Sequence, residues 1–156
     1  MATIISSAPR GALVAPTEVD SARRDATLDV LIRATTLPQV FRFAARLVVK
    51  NGHHQGDYLP DPFDRRLTSL HIDRPLSIVA AIRAVANGNP HVTSALSEAA
   101  VKVLAHRLRV DGEEPFNEEP FTLECHVAEW GDWEDRTVES VVAVLEAAAD
   151  ASEVSA

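Results

Sequence analysis

The sequence predicts a mostly α-helical fold, one bundle of four to five helices around a buried central helix at 76–86. Three observations carry this. Only Ser77 and Arg83 are polar between positions 76 and 86. That run falls short of the about 20 apolar residues that span a bilayer, so it belongs in a globular core. The segments around it repeat apolar residues at helical spacing. The 156 residues are 46% hydrophobic but 5% aromatic, enough for one core built mainly of Ala, Val, Leu and Ile.

In chain order, residues 1–16 carry Pro9, Gly11 and Pro16 without a period and read as a flexible tail. A single domain then spans 17–149. Thr17, Asp20 and Ser21 offer N-caps for a helix over 17–34, although TLDVLI at 27–32 also fits an extended segment. Thr36 and Gln39 match a capping box, with Pro38 in the first turn. Val40, Ala44, Leu47 and Val48 face one side, widened by Phe41. Arg42, Arg46 and Lys50 face the other and read as a solvated face; Asn51-Gly52 ends the helix. The loop 53–74 is long for a compact domain, and Asp73 with Pro75 is placed to cap the central helix. Asn87-Gly88 closes that helix.

Asn89-Pro90 opens the next helix, to about position 108, with the stripe Val92, Ala95, Leu96, Ala99, Val103 and Leu104. Glu98 and Lys102 are spaced to pair along it. Phe121, Leu123, Cys125 and Val127 alternate with polar residues, which permits a short strand near 121–127; a helical turn fits as well. Thr137 caps a last helix carrying Val138, Val141, Val142, Leu145 and Ala148, and 150–156 reads as a second flexible tail.

Charge narrows the function. A net charge of −8 disfavours nucleic acid and anionic membranes as partners, since both repel net negative charge. The short, Gly88-containing link between two helices suits a helix-turn-helix, but residues 89–98 contain no Lys or Arg to read bases. Cys125 is the only cysteine, which suits a reducing, cytoplasmic setting and excludes a cysteine-based zinc site. No basic, apolar leader is read at 1–16. Residues 110–135 hold ten of the 23 acidic residues and no Lys or Arg, and Glu-Glu-Pro-Phe occurs twice, at 113–116 and 118–121.

The candidate chemistry is sparse. His53, His54, Asp57, Asp61, Asp64, His71 and Asp73 share one loop, yet their spacing matches no recognised metal pattern, so neither a metal nor a cofactor is expected. Cys125 and His126 are chain neighbours, which is a poor arrangement for a nucleophile and its base; Cys125 reads as a semi-buried structural thiol. Ser77 sits in the first turn of the central helix without a surrounding phosphate loop or nucleophile elbow. Trp130, Asp132, Arg136 and Thr137 are placed to form a collar at the start of the last helix, with Asp132 paired to Arg136. His54, Gln55 and Asp57 are candidates to hydrogen-bond into it.

Three of these segments, NGHHQGDY at 51–58, RPLSIVAAIRAVANG at 74–88 and WGDWEDRT at 130–137 with the valine helix after it, are similar to a family of small actinobacterial and phage proteins of unknown function. The likeness runs from about position 37 to 149. Family members share a Gly followed by an aromatic residue or His and then Gln-Gly, a Cys-x-x-Gly-Ala, and a Trp-Asn-Asp preceding Arg-Thr. This chain has Ser77 for that Cys, Ala80 for the Gly, and Gly131 between Trp130 and Asp132. Any chemistry of that Cys or Asn would be lost here, and the resemblance implies no activity.

The resulting expectation is a non-catalytic interaction or regulatory module with an acidic surface. Glu113, Glu114, Phe116, Glu118, Glu119 and Phe121 would meet a protein with a basic contact surface. The alternative is a small enzyme or ligand binder with a cleft between 53–73 and 130–136. It would use His53, His54, Gln55, Asp57, Ser77, Trp130, Asp132 and Arg136.

Overall fold

The structure, a computed structural model, describes residues 33–56 and 73–155. Five helices occur among them: α1 (Leu37–Asn51), α2 (Ile78–Asn87), α3 (Ala95–Arg107), α4 (Pro120–Gly131) and α5 (Val138–Val154). No strand is present among the described residues, only isolated bridges. The tail at 1–16, nearly all of the helix expected at 17–34, and the loop 57–72 lie outside them.

Helix α2 is the hub. All its residues from Ile78 to Val85 are buried, and it packs against α1, α3 and α4. It starts later than expected. Ser77, rather than Asp73, is the N-cap, its Oγ accepting from the Ala80 N–H at 3.2 Å. The reason is upstream: the backbone of Leu76 is already committed to a short parallel pairing with the chain after α1. The His54 N–H donates to the Leu76 carbonyl at 3.0 Å, and the Leu76 N–H to that of Gly52. Gly88 ends α2 in the left-handed region, which a residue with a Cβ adopts at a cost.

Helix α1 begins as expected at Thr36, whose Oγ1 accepts from the Gln39 N–H. The return bond differs, because Gln39 Oε1 accepts from the Thr35 N–H and hydroxyl instead of from Thr36. Val40, Phe41, Ala44, Leu47 and Val48 are buried as the stripe requires, with Ala45 added. On the opposite face Arg46 and Lys50 are exposed as expected, while Arg42 is half-buried. Arg42 reaches Glu146 at 2.6 Å, Asp150 at 2.9 Å and Glu153 at 3.0 Å, one carboxylate from each successive turn of α5. Asp150 and then Glu153 hold this guanidinium more firmly protonated than an ordinary arginine. The same contacts engage the end of α5, which continues as helix to Val154 instead of fraying after Asp150.

Helix α3 departs most from expectation. Asn89 and Pro90 form a turn, and the helix begins after Ser94 with a reciprocal Ser94–Ser97 capping box. Its buried residues are Ser97, Ala100, Val101, Leu104 and Ala105. Of the expected stripe only Leu104 is buried; Val92, Ala95 and Ala99 are exposed, and Leu96 and Val103 are half-buried. α3 carries two apolar arcs on opposite sides, and the arc of small residues admits the closer approach of its neighbours. Ser97 tolerates burial because its hydroxyl donates to the Ser94 carbonyl and accepts from the Ser94 N–H. Lys102 pairs with Glu118 at 3.3 Å, across to the segment before α4, in place of the expected Glu98.

The segment near 121–127 is helix, the second of the two readings its sequence permits. Pro120 stands in the first turn of α4, and Leu123, His126, Val127 and Trp130 are buried at helical spacing. Two members of the alternating set, Phe121 and Cys125, are exposed, so the alternation did not mark a face. Thr137 caps α5 with Ser140 as partner, and Val141, Leu145, Ala148 and Ala149 enter the core.

Ile82 is fully buried on α2. Ile82→Asp is expected to destabilise the fold by more than about 3 kcal/mol, because the new carboxylate has no partner there. Thermal melts followed by circular dichroism test this. A variant melting with its parent would contradict the central placement of α2.

Candidate functional site

Two regions hold the candidate residues. The first is the junction between the end of α1 and the α4–α5 turn. His53 Nε2 donates to the Gly131 carbonyl at 2.8 Å, and Gln55 Nε2 donates to the same oxygen at 3.2 Å and to that of Trp133 at 2.5 Å. The Gly56 N–H donates to Asp132 Oδ1 at 2.8 Å. The Asp132–Arg136 pair expected from sequence is therefore replaced. Arg136 Nε instead donates to the Trp130 carbonyl at 3.0 Å, and its guanidinium lies 3.9 Å from the centre of the Trp130 ring, with Trp133 beyond at 5.2 Å. The planar cation finds a π-face and a carbonyl here, while the aspartate is taken by the backbone of the opposite segment.

Gly131 explains the tightness of this junction. It is buried, and a Cβ on it would stand 3.2 Å from Ile78 Cδ1 and 3.4 Å from His53 Cε1. His54 contributes its backbone to the bridge with Leu76. Asp57 lies outside the described residues, as do Asp61, Asp64 and His71. Ser77 is buried and engaged as the α2 cap. Nearly every polar group placed at the junction is thus spent on another part of the junction. The exception is His53 Nδ1, which is buried and has no partner among the described residues. Among those residues no group of three or more His, Cys, Asp or Glu is positioned to hold a metal ion.

The second region is the acidic stretch from 110 to α4. It opens with a tight turn in which Asp111 and Gly112 both have positive φ, closed by reciprocal Val110 and Glu113 backbone bonds. Glu114 pairs with Arg109 at 2.8 Å, and Glu118 pairs with His106 and Lys102. The hydrogen bond to His106, then that to Lys102, holds the Glu118 carboxyl below the ordinary glutamate range. Glu113 and Glu119 are exposed and make no ion pair among the described residues. Phe116 is 93% exposed and Phe121 75% exposed, each directly after a Glu-Glu-Pro. An aromatic ring left in water forgoes most of its burial free energy, so two of them amid carboxylates mark the surface as unusual.

Cys125 and His126 separate as the helix requires. Cys125 is exposed, correcting the semi-buried reading, because it lies on the outer face of α4. Partial desolvation, followed by Glu124 and Glu129, pushes its thiol above the ordinary value. His126 turns inward, with Nε2 at 2.9 Å from the Leu108 carbonyl.

Sequence reasoning missed two features. Arg83, the one charge within α2, reaches Glu124 of α4 at 2.6 Å, with both side chains nearly out of solvent. The signal was present, since a charge inside an apolar run needs a partner, but nothing local identified Glu124. Beside this pair lies a groove between α3 and α4, lined by Ala95, Glu98, Ala99, Phe121 and Leu123.

The fold and these two regions define a small all-α domain with a buried hub helix, a tied junction and an aromatic-bearing acidic face. Residues 32–151 match a family of unknown function (DUF6197), and the chain belongs to that family. No curated protein and no solved structure matches it.

Two outcomes follow from this geometry. Gly131→Val is expected to cost about 1–3 kcal/mol by overpacking against Ile78 and His53, read as a lower melting temperature. Stability equal to the parent would contradict the close contact. Cys125, although exposed, is expected to react with iodoacetamide more slowly than a free cysteine at neutral pH, since only its thiolate attacks. Glu129→Gln should speed that reaction, and an unchanged rate would remove Glu129 as a cause.

Proposed function

We propose that this domain is a non-catalytic protein-interaction module whose acidic face receives a partner with a basic contact surface. The exposure of Phe116 and Phe121 carries the reading. Both rings are held between buried anchors, Val110 behind them and Leu123 ahead. Carboxylates around them steer a basic surface in, and burial of the rings then supplies the short-range free energy. The junction at 53–56 and 130–136 supports a structural role in preference to a ligand cleft, because its donors and acceptors are mostly satisfied within it. Among the described residues no helix is long and apolar enough to cross a membrane. The lone cysteine supports a reducing, cytoplasmic setting, and the family likeness supports an actinobacterial or phage origin.

Affinity capture on the full chain, compared with two variants, tests the proposal. One variant replaces Glu113, Glu114, Glu118 and Glu119 with Gln; the other carries Phe116→Ser and Phe121→Ser. All six residues are exposed, so both variants should keep the parent's circular dichroism spectrum. The captured partner should be basic at its contact site and associate more slowly as salt rises. The Gln variant should lose on-rate, and the Ser variant should dissociate faster by about tenfold or more. A partner that binds both variants as it binds the parent, indifferent to salt, would refute the proposal.

A further inference from the structure

The groove between α3 and the start of α4 has a volume of about 430 Å³. Ala95 and Ala99 line its α3 side, and Pro120, Phe121 and Leu123 its α4 side. Ala95 and Ala99 are the exposed members of the outer arc of α3, whose Leu96 and Val103 pack against the core. The cations that line the groove are already paired, Arg83 with Glu124 and Lys102 with Glu118. Its surplus charge is negative. Glu98 lines it and Glu119 directly precedes Pro120 at its edge, and neither makes an ion pair among the described residues.

We propose that this groove is the docking site for a basic amphipathic helix of the partner. Aliphatic anchors would enter between the Ala95–Ala99 side and Phe121, with Lys or Arg of the same helix set against Glu98 and Glu119. Two features select this occupant. The described residues contain no sheet edge onto which an extended peptide could add, whereas a slot between two helices takes apolar anchors at i, i+3 or i+4 spacing. The unpaired charge of the slot selects cations and repels an acidic helix. This inference rests on the reading of the acidic face as an interaction surface and places the partner's helix at its α3–α4 end, beside Phe121.

The test uses the full chain and two synthetic helical peptides of roughly 18 residues, long enough for helix to form. One is an amphipathic pattern of Leu and Lys; the other has Glu in place of Lys. Binding is read by fluorescence anisotropy, and the site by amide chemical shifts. The Leu/Lys peptide should bind, weaken as salt rises, and perturb amides at 95–101 and 121–124, while the Leu/Glu peptide should not bind. Ala99→Trp, which fills the groove from an exposed position, and Phe121→Ser should each weaken binding about tenfold or more. Val49→Ser, at an exposed position of α1 outside the groove, should leave it unchanged. If the Leu/Lys peptide binds Ala99→Trp and Phe121→Ser as tightly as the parent and shifts amides around Glu113 and Phe116, the groove is refuted while the acidic-face reading stands. If it fails to bind the parent at low salt, the groove is refuted, and the acidic-face reading is decided by the captured partner alone.

Discussion

The burial of α2 on all sides is the constraint on which the rest of the structure depends. A helix with no solvent face must either lack charge or have its charge paired. Arg83 meets that condition through Glu124, which fixes α4 against α2 at one point. Removing either partner would leave a nearly buried charge alone, so the pair acts as a register pin more than as a source of net stability. The core around α2 is built mainly of aliphatic side chains, and among the described residues Phe41 is the one fully buried phenylalanine, with Phe43 packed at the edge. With so little aromatic bulk, close approach of helices does the work, as the alanines of α2 and α3 and Gly131 at the end of α4 show.

Around this hub the chain is tied at two further places, by different physics. At the junction, backbone and side-chain hydrogen bonds converge on the Gly131 carbonyl, and the stack of Arg136 on Trp130 shields the end of the core. On the opposite helix pair, Arg42 collects three carboxylates of α5 in a half-exposed network. Solvent screens such a network, so its value lies in aligning α1 with α5. Residues 51–56, 74–88 and 130–137 fall on the bridge after α1, on α2 and on the junction, all within the span that matches the family.

Among the described residues, the stretch from 110 to the start of α4 has a composition that the fold does not require. Glu114 and Glu118 balance nearby cations, but Phe116 and Phe121 contribute little to the core and are costly in water. The duplicated Glu-Glu-Pro-Phe places an aromatic after two carboxylates at two successive points, once in the loop and once on the first turn of α4. Pro115 and Pro120 restrict the backbone directly before each ring.

The sequence by itself determined the helices whose ends and faces are set locally. Thr36 and Gly52 bounded α1, Thr137 opened α5, and the apolar run of α2, interrupted by Arg83, left no other place for it than the core. It also determined the charge of the 110–135 stretch, because a carboxylate's sign does not depend on its neighbours. Tertiary structure decided what local pattern left degenerate. α3 had two apolar arcs, and only packing against α2 and α4 selected Ala100, Val101 and Leu104 for the core over Ala95 and Ala99. Residues 121–127 fitted both periods, and burial of His126, Val127 and Trp130 settled them as helix. The partners of Arg42 and Arg83 lie 104 and 41 residues away, respectively, for Glu146 and Glu124. Side-chain pairing at such separations follows from how helices dock, which no window of sequence contains.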